Sequence, residues 1–143
     1  PMMARMLALN PFAGLFIGAG GSGTQVRNII GATGTKLSPE ALAIYGRLIS
    51  RPAPVDGTLA MMALWSLREL SAALPHIDPP TLFLHGTKDQ AVRMSVAERA
   101  AAAMPNAHLS VLEDVGHISH EEAPERVADA IGAFLSNTSV AAQ

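Results

Sequence analysis

The sequence predicts an α/β chain in which a helical first half precedes a β-α-β-α run built on parallel strands. Three observations carry that prediction: helix-period apolar patterns across residues 1–73, two short apolar runs beyond Pro79-Pro80, and a helix with start and stop signals between those runs. Strands that alternate with helices imply neighbouring parallel strands joined by right-handed crossovers. Residues 1–73 are therefore expected to form a helical region, and residues 74–143 part of a core sheet.

Each element rests on its own signals. Ser38-Pro39-Glu40 reads as a helix start: serine as N-cap, proline at the first helical position, an acid where the helix dipole favours one. Ala41, Leu42, Ile44, Tyr45, Leu48 and Ile49 follow at helical spacing, and Arg51-Pro52 closes the run. A second helix is expected from Thr58 to Ala73. It is apolar on more than one face (Leu59, Met61, Met62, Leu64, Trp65, Leu67, Leu70) and is expected to lie between two layers. A shorter helix is expected near Gln25–Ile30, and no strand of convincing length precedes Pro79. Thr81-Leu82-Phe83-Leu84-His85 has the nearly continuous apolar character of a strand buried on both faces. Ser95-Val96-Ala97-Glu98 resembles a capping box opening a helix that runs to Met104 and stops at Pro105. His108-Leu109-Ser110-Val111-Leu112 reads as the second strand. Glu121–Glu125, with Pro124 inside, opens a last helix whose buried stripe is Val127, Ile131, Phe134 and Leu135.

Composition narrows the classes. A chain of 143 residues, 49% apolar, is long enough for one globular domain and too apolar to be disordered. It has no cysteine, which excludes disulfides, thiolate zinc sites and a cysteine nucleophile, and fits a reducing, cytoplasmic compartment. No apolar run reaches the ~18 residues of a transmembrane helix, and the start lacks the pattern of a signal peptide. The chain begins on proline inside what reads as a helix, so truncation or processing is expected. The net charge of −2 hides an asymmetry. Residues 1–73 carry six basic and three acidic side chains, a net +3, whereas residues 74–143 carry four and nine, a net −5. The basic residues are scattered and not interleaved with aromatics, which argues against a nucleic-acid surface.

The chemistry follows from topology. In a parallel β-α-β unit the loops after both strands emerge at the same sheet edge, where open α/β folds bind ligands. Asp89 stands four residues past His85, and His117 five past Leu112, so the crossover brings them to neighbouring loop tips. A carboxylate beside an imidazole can fix its tautomer and stabilise the imidazolium formed in general-base catalysis. Gly86 and Gly116 permit the turns that aim these side chains. Taken alone, an aspartate in a Gly-x-x-Asp turn is usually a turn former or cap, and a single histidine after a strand is usually structural. Their joint placement favours an acid–base pair. No metal or cofactor is expected: there is no cysteine, and His85, His117 and His120 make no His-x-x-x-His face.

His85-Gly86-Thr87-Lys88-Asp89 after an apolar strand resembles the acid loop of the α/β-hydrolases. The run from Val115-Gly116-His117 through Pro124-Glu125 resembles their histidine loop and following helix. The resemblance covers residues 79–136 and implies a chain of the C-terminal half of that fold, with Asp89 as triad acid and His117 as triad histidine. His120, inside the helix start, is read as a neighbour of the site. Residues 1–73 then occupy the place of a helical cap, and 74–143 the C-terminal part of the core. Thr33-Gly34-Thr35-Lys36-Leu37, Tyr45-Gly46-Arg47-Leu48 and the stretch from Gly57 to Trp65 are similar to the magnesium chelatase accessory proteins of bacteriochlorophyll biosynthesis, a branch of the fold. That resemblance implies magnesium chelatase or a tetrapyrrole as a partner. Five of the seven methionines fall in residues 1–73; they suit an adaptable surface facing a tetrapyrrole or acyl group, or equally an ordinary helix–helix core.

The sequence departs from the family at the nucleophile. None of its ten serines has glycine at both second-neighbour positions, as a Gly-x-Ser-x-Gly elbow requires; Ser22, with Gly20 before and Thr24 after, comes nearest. The serine is expected on a missing upstream segment, and the chain alone is expected to be inactive toward its small apolar or ester substrate. A two-stranded sheet is also too small to bury its faces alone, which again points to a piece of a longer fold needing its N-terminal half. Two rivals stand beside the hydrolase. Gly18-Ala19-Gly20-Gly21-Ser22-Gly23 satisfies the dinucleotide fingerprint, but the strand before it is only Leu15-Phe16-Ile17 and no acid ends a following strand; a loop within the cap accounts for it better. The other is a non-catalytic accessory protein that binds a pigment or partner on a hydrolase scaffold.

Overall fold

A serine hydroxyl starts the clearest helix of the first half. In the computed structural model, which describes residues 23–50, 57, 60–62, 64 and 67–141, Ser38 Oγ accepts the Ala41 N–H at 3.2 Å. Helix α1 (Gly23–Gly31) precedes it, and α2 (Pro39–Ile49) follows with its proline in the first turn and Ser50 as C-cap. The chain divides into two compact units, one from residues 1–29 and 37–67, the other from 30–36 and 68–143. In the first, Val26 is buried, and Gly46 of α2 leaves its Cγ2 room to approach. The expected helix to Ala73 is helical at Gly57, Ala60–Met62 and Leu64, and continuous as α3 (Leu67–Ala73). Leu59 and Trp65 lie outside the described residues, as do the 15–17 stretch and the glycine cluster before Gly23. Leu64 is 85% exposed, and Met61, Met62, Leu67 and Leu70 are exposed too, so the expected sandwich is absent among the described residues.

The second unit holds the sheet. Strands β1 (Thr81–Gly86) and β2 (Ala107–Leu112) pair in parallel, Thr81 opposite Ala107 through Gly86 opposite Leu112. The crossover helix α4 (Met94–Ala103) begins two residues earlier than its capping box implied. Arg93 is the N-cap and makes no side-chain capping bond, because its guanidinium has no acceptor to offer, and Ser95 is already inside the first turn. The histidine loop is followed by a single turn, α5 (Ser119–Glu122), and then by α6 (Pro124–Ala141). The sequence predicted one helix here. Ala123 breaks it because a residue before proline avoids the helical region, and proline is well placed at a new helix start. One small buried cluster joins Leu112, Val115 and Val127, with Leu84 and Ala123 packed against them, and Ala97 and Met104 are buried besides. β1 is half-buried rather than buried on both faces, except at His85 and Gly86. Of the stripe expected on α6, Val127 is buried and Phe134 partly so, while Ile131 and Leu135 are exposed.

Beyond the strand ends, backbone replaces side chain as the packing material. A Cβ on Gly86 would strike the carbonyl oxygen of Val115 and stand 2.7 Å from that of Gly116. One on Gly116 would stand 2.5 Å from Gly34 C and O and from Thr35 N. Gly34, at φ +80°, presses its own backbone on the carbonyl of Lys88. Three chain segments thus touch peptide to peptide, and only glycine fits at each contact. Gly132, in the middle of α6, has nothing within 4 Å of its Cβ position. We expect opposite responses to the same chemical change. Gly132→Ala should stabilise the protein by roughly 0.5–1 kcal/mol through helix propensity, while Gly116→Ala should destabilise it by about 1–3 kcal/mol through overpacking. Urea-denaturation midpoints check both, and a neutral Gly116→Ala would refute the backbone contact.

Candidate active site

Asp89 owes its position to the turn that follows β1. Its N–H donates to the Gly86 carbonyl at 3.1 Å, closing a tight turn directly after the strand. Its Oδ1 accepts the N–H groups of Ala91 and Val92, each at 2.8 Å. This is the self-capping habit of a short acidic side chain in a turn. Oδ2 is left to face outward, and His117 Nδ1 donates to it at 2.9 Å. The carboxylate is 6% exposed and the imidazole 42%. An imidazole that donates from Nδ1 carries its lone pair on Nε2, the nitrogen a general base uses.

The two loops are tied by bonds that extend the strand ladder. Thr87 N–H donates to Leu112 O at 3.0 Å and Lys88 N–H to Val115 O at 2.9 Å. Asp114, at φ +59°, donates its N–H to Thr87 Oγ1 at 2.8 Å. On the histidine side, Glu122 of α5 accepts the Gly116 N–H at 2.8 Å. The turn at Thr33–Thr35 joins both loops: Gln90 N–H donates to Thr33 O at 3.1 Å, and Ile118 N–H to Thr35 Oγ1 at 3.0 Å.

Electrostatics at Asp89 are a contest. Burial alone would push its carboxyl above the ordinary carboxylate range. The N–H of Val92, the His117 imidazole and the N–H of Ala91 donate to the carboxylate, and the charge of His117 adds to them; together they outweigh burial and hold it below. His85 lies beneath the same turn, 6% exposed, with Nδ1 2.9 Å from Gly86 O and Nε2 3.1 Å from Val92 O. Its Nε2 is 3.8 Å from Asp89 Oδ2. His120 is 69% exposed with Nε2 3.8 Å from Glu121 Oε1. No group of three potential metal ligands occurs among the described residues.

The structure brings Asp89 and His117 together and leaves His120 to solvent. Sequence reasoning did not single out His85, Thr33, Thr35 or Glu122 as parts of the site. A Thr-Gly-Thr signals a turn, but nothing local in it says that it bonds to a loop 83 positions away. A cleft of about 630 Å³ in the second unit is lined by Pro80, Leu82, Pro105, His108 and Phe134. It lies at the starts of the strands, the end opposite the one where such sheets bind ligands.

The family model described as the alpha/beta hydrolase family matches residues 2–130. The magnesium-chelatase 30 kDa subunit of Rhodobacter capsulatus is 39% identical over 132 residues, covering 92% of this chain and 46% of that protein. The chain therefore spans about half the length of that curated relative. Among solved structures, a candidate lipase from Acinetobacter baumannii superposes with a TM-score of 0.65 at 26% identity, over 80% of this chain and 42% of that one. Est816, described as an N-acyl homoserine lactone degrading enzyme, gives a TM-score of 0.60 at 23% identity, over 90% of this chain and 53% of that one, which speaks to fold alone.

The lowered carboxyl of Asp89 makes a pH prediction. A depressed folded-state value means that ionised Asp89 contributes stability in full above the unfolded aspartate value, about 4. That contribution is lost as pH falls from there through the lower folded value. Urea midpoints followed across this acid window should fall more steeply for the wild type than for Asp89→Asn. Parallel profiles would contradict the bonding described.

Proposed function

The chain belongs to the alpha/beta hydrolase family, and from that membership we propose that Asp89 and His117 are the acid and general base of a serine-hydrolase triad acting on an ester-type substrate. One observation carries the reading: the 2.9 Å bond between Asp89 Oδ2 and His117 Nδ1, made by side chains from two consecutive strand–helix loops. With Nδ1 held as the donor, Nε2 takes the proton of a serine hydroxyl as it attacks the ester carbonyl. The same nitrogen returns that proton to the leaving alkoxide, while Asp89 stays ionised and stabilises the imidazolium. The serine comes from outside these residues, upstream in the family's order of nucleophile, acid, histidine. Two facts support this: no serine here sits in a Gly-x-Ser-x-Gly elbow, and the chain covers 46% of its chelatase-subunit relative. On this reading the 143 residues hydrolyse nothing alone. Residues 1–73 serve as the cap and 74–143 as the C-terminal part of the core, in a cytoplasmic protein with a small apolar or ester substrate.

The 39% identity to a magnesium-chelatase subunit favours a second reading. In it, the scaffold belongs to bacteriochlorophyll biosynthesis and binds a tetrapyrrole or the chelatase without catalysing hydrolysis. The two readings separate at the upstream elbow, where an intact serine supports hydrolysis and a replaced one supports binding.

In the full-length protein, His117→Ala should lower turnover of an activated ester by about 10²–10⁴-fold, the usual worth of a general base. His120→Ala should have a much milder effect. Equal rates for His117→Ala and wild type would sink the triad assignment. A full-length protein that binds a tetrapyrrole yet turns over no ester would favour the accessory reading.

A further inference from the structure

Two threonines next to the site form a directed chain of hydrogen bonds. Thr33 Oγ1 lies 2.6 Å from the Ile30 carbonyl, which can only accept, so the Thr33 hydroxyl hydrogen points there. Thr35 Oγ1 lies 2.9 Å from Thr33 Oγ1, so the Thr35 hydroxyl donates to Thr33. Its lone pairs are then left for Ile118 N–H, 3.0 Å away. The order runs Ile118 N–H, Thr35 hydroxyl, Thr33 hydroxyl, Ile30 carbonyl, each bond polarising the next. Thr35 is 3% exposed, so its hydroxyl is shielded from water, while Thr33 and Ile118 are half-buried.

The chain ends beside both site residues. Ile118 is the neighbour of His117, and on the other side Gly116 N–H is held by Glu122 at 2.8 Å. The histidine is thereby pinned through the peptide N–H groups on both sides of it. Meanwhile Thr33 O accepts the N–H of Gln90, the neighbour of Asp89, at 3.1 Å. One three-residue turn therefore grips the residue after the acid and the residue after the histidine. Gly34, between the two threonines, packs directly on Lys88 and Gly116.

We propose that Thr35 is a positioning residue for His117, and that the Thr33-Gly34-Thr35 turn sets the spacing between the acid and histidine loops. The proposal rests on the triad reading for its effect on rate, but its structural content is the juxtaposition itself. Thr35 touches no reacting atom. It acts by fixing the peptide that carries His117, and an error of about 1 Å in such placement costs on the order of 100-fold in rate.

Thr35→Val keeps the shape and removes the hydroxyl, leaving the half-buried Ile118 N–H without its acceptor. In the full-length protein it should lower kcat for an activated ester by about 10–100-fold while KM stays within about twofold. Thr35→Ser, which keeps the oxygen, should restore kcat to within about threefold of wild type. A second readout needs no turnover: the low-field proton resonance of the His117 Nδ1–H bonded to Asp89. It should broaden or vanish in Thr35→Val and persist in Thr35→Ser. Should Thr35→Val fail to fold, Thr33→Val decides, since it removes only the next link and should weaken both readouts. Wild-type kcat and an unchanged resonance in whichever valine variant folds would overturn the proposal. A wild-type protein without esterase activity overturns only the hydrolase reading, and the resonance then decides this one.

Discussion

Everything at the site depends on how closely three loop backbones approach one another at the carboxyl edge of the sheet. Glycines at 34, 86 and 116 stand where any Cβ would collide with a neighbouring peptide, so those peptides lie in direct contact. The reward is hydrogen bonding beyond the strands. Thr87 and Lys88 donate to Leu112 and Val115, and the parallel ladder continues into what would otherwise be mobile loop. Such contacts have no rotamers. Side chains as short as those of Asp89 and His117 can then meet at 2.9 Å without long, entropically costly stalks.

That rigidity makes a buried carboxylate tolerable. Moving a charge away from water is expensive unless it is both paired and hydrogen-bonded. Asp89 divides the task between its oxygens, one saturated by two N–H groups of its own turn and the other reserved for the imidazole. The turn is closed from below by His85, whose ring spans the carbonyls of Gly86 and Val92 across the base of the loop. A carboxylate fixed in this way orients an imidazole through geometry already built into the fold.

What the sequence revealed, and what it hid, follow one division. Patterns of local origin were legible: the Ser38 cap, both strands, the crossover helix, and the placing of Asp89 and His117 on successive loops. Those signals reside in adjacent residues and in the parallel topology they imply. Boundary chemistry was less legible. Ser95-x-x-Glu98 has the letters of a capping box yet lies within a helix that starts at Met94, and Pro124 starts a new helix instead of continuing one. Burial was least legible, because the periodicity of α6 and of the residues before Ala73 shows which faces are apolar but not what covers them. The bond from Ile118 to Thr35 spans 83 positions and left no trace in local pattern.

The small core and the loop cluster are best understood as one object. Leu112 ends β2 and Val115 lies two residues before His117; both side chains sit in the core with Val127. The Val115 carbonyl simultaneously accepts from Lys88 in the acid loop. Hydrophobic burial on one side of the peptide and hydrogen bonding on the other therefore act on the same backbone atoms. In the second unit, Thr35, His85, Leu112 and Val115 are buried and the close glycine contacts lie between the loops, while apolar positions farther along α6 such as Leu135 remain exposed. Within the second unit, the order of the acid–histidine pair is thus set by its immediate supports, and a change in Val115, Gly116 or Thr35 would reach His117 through at most two residues of chain.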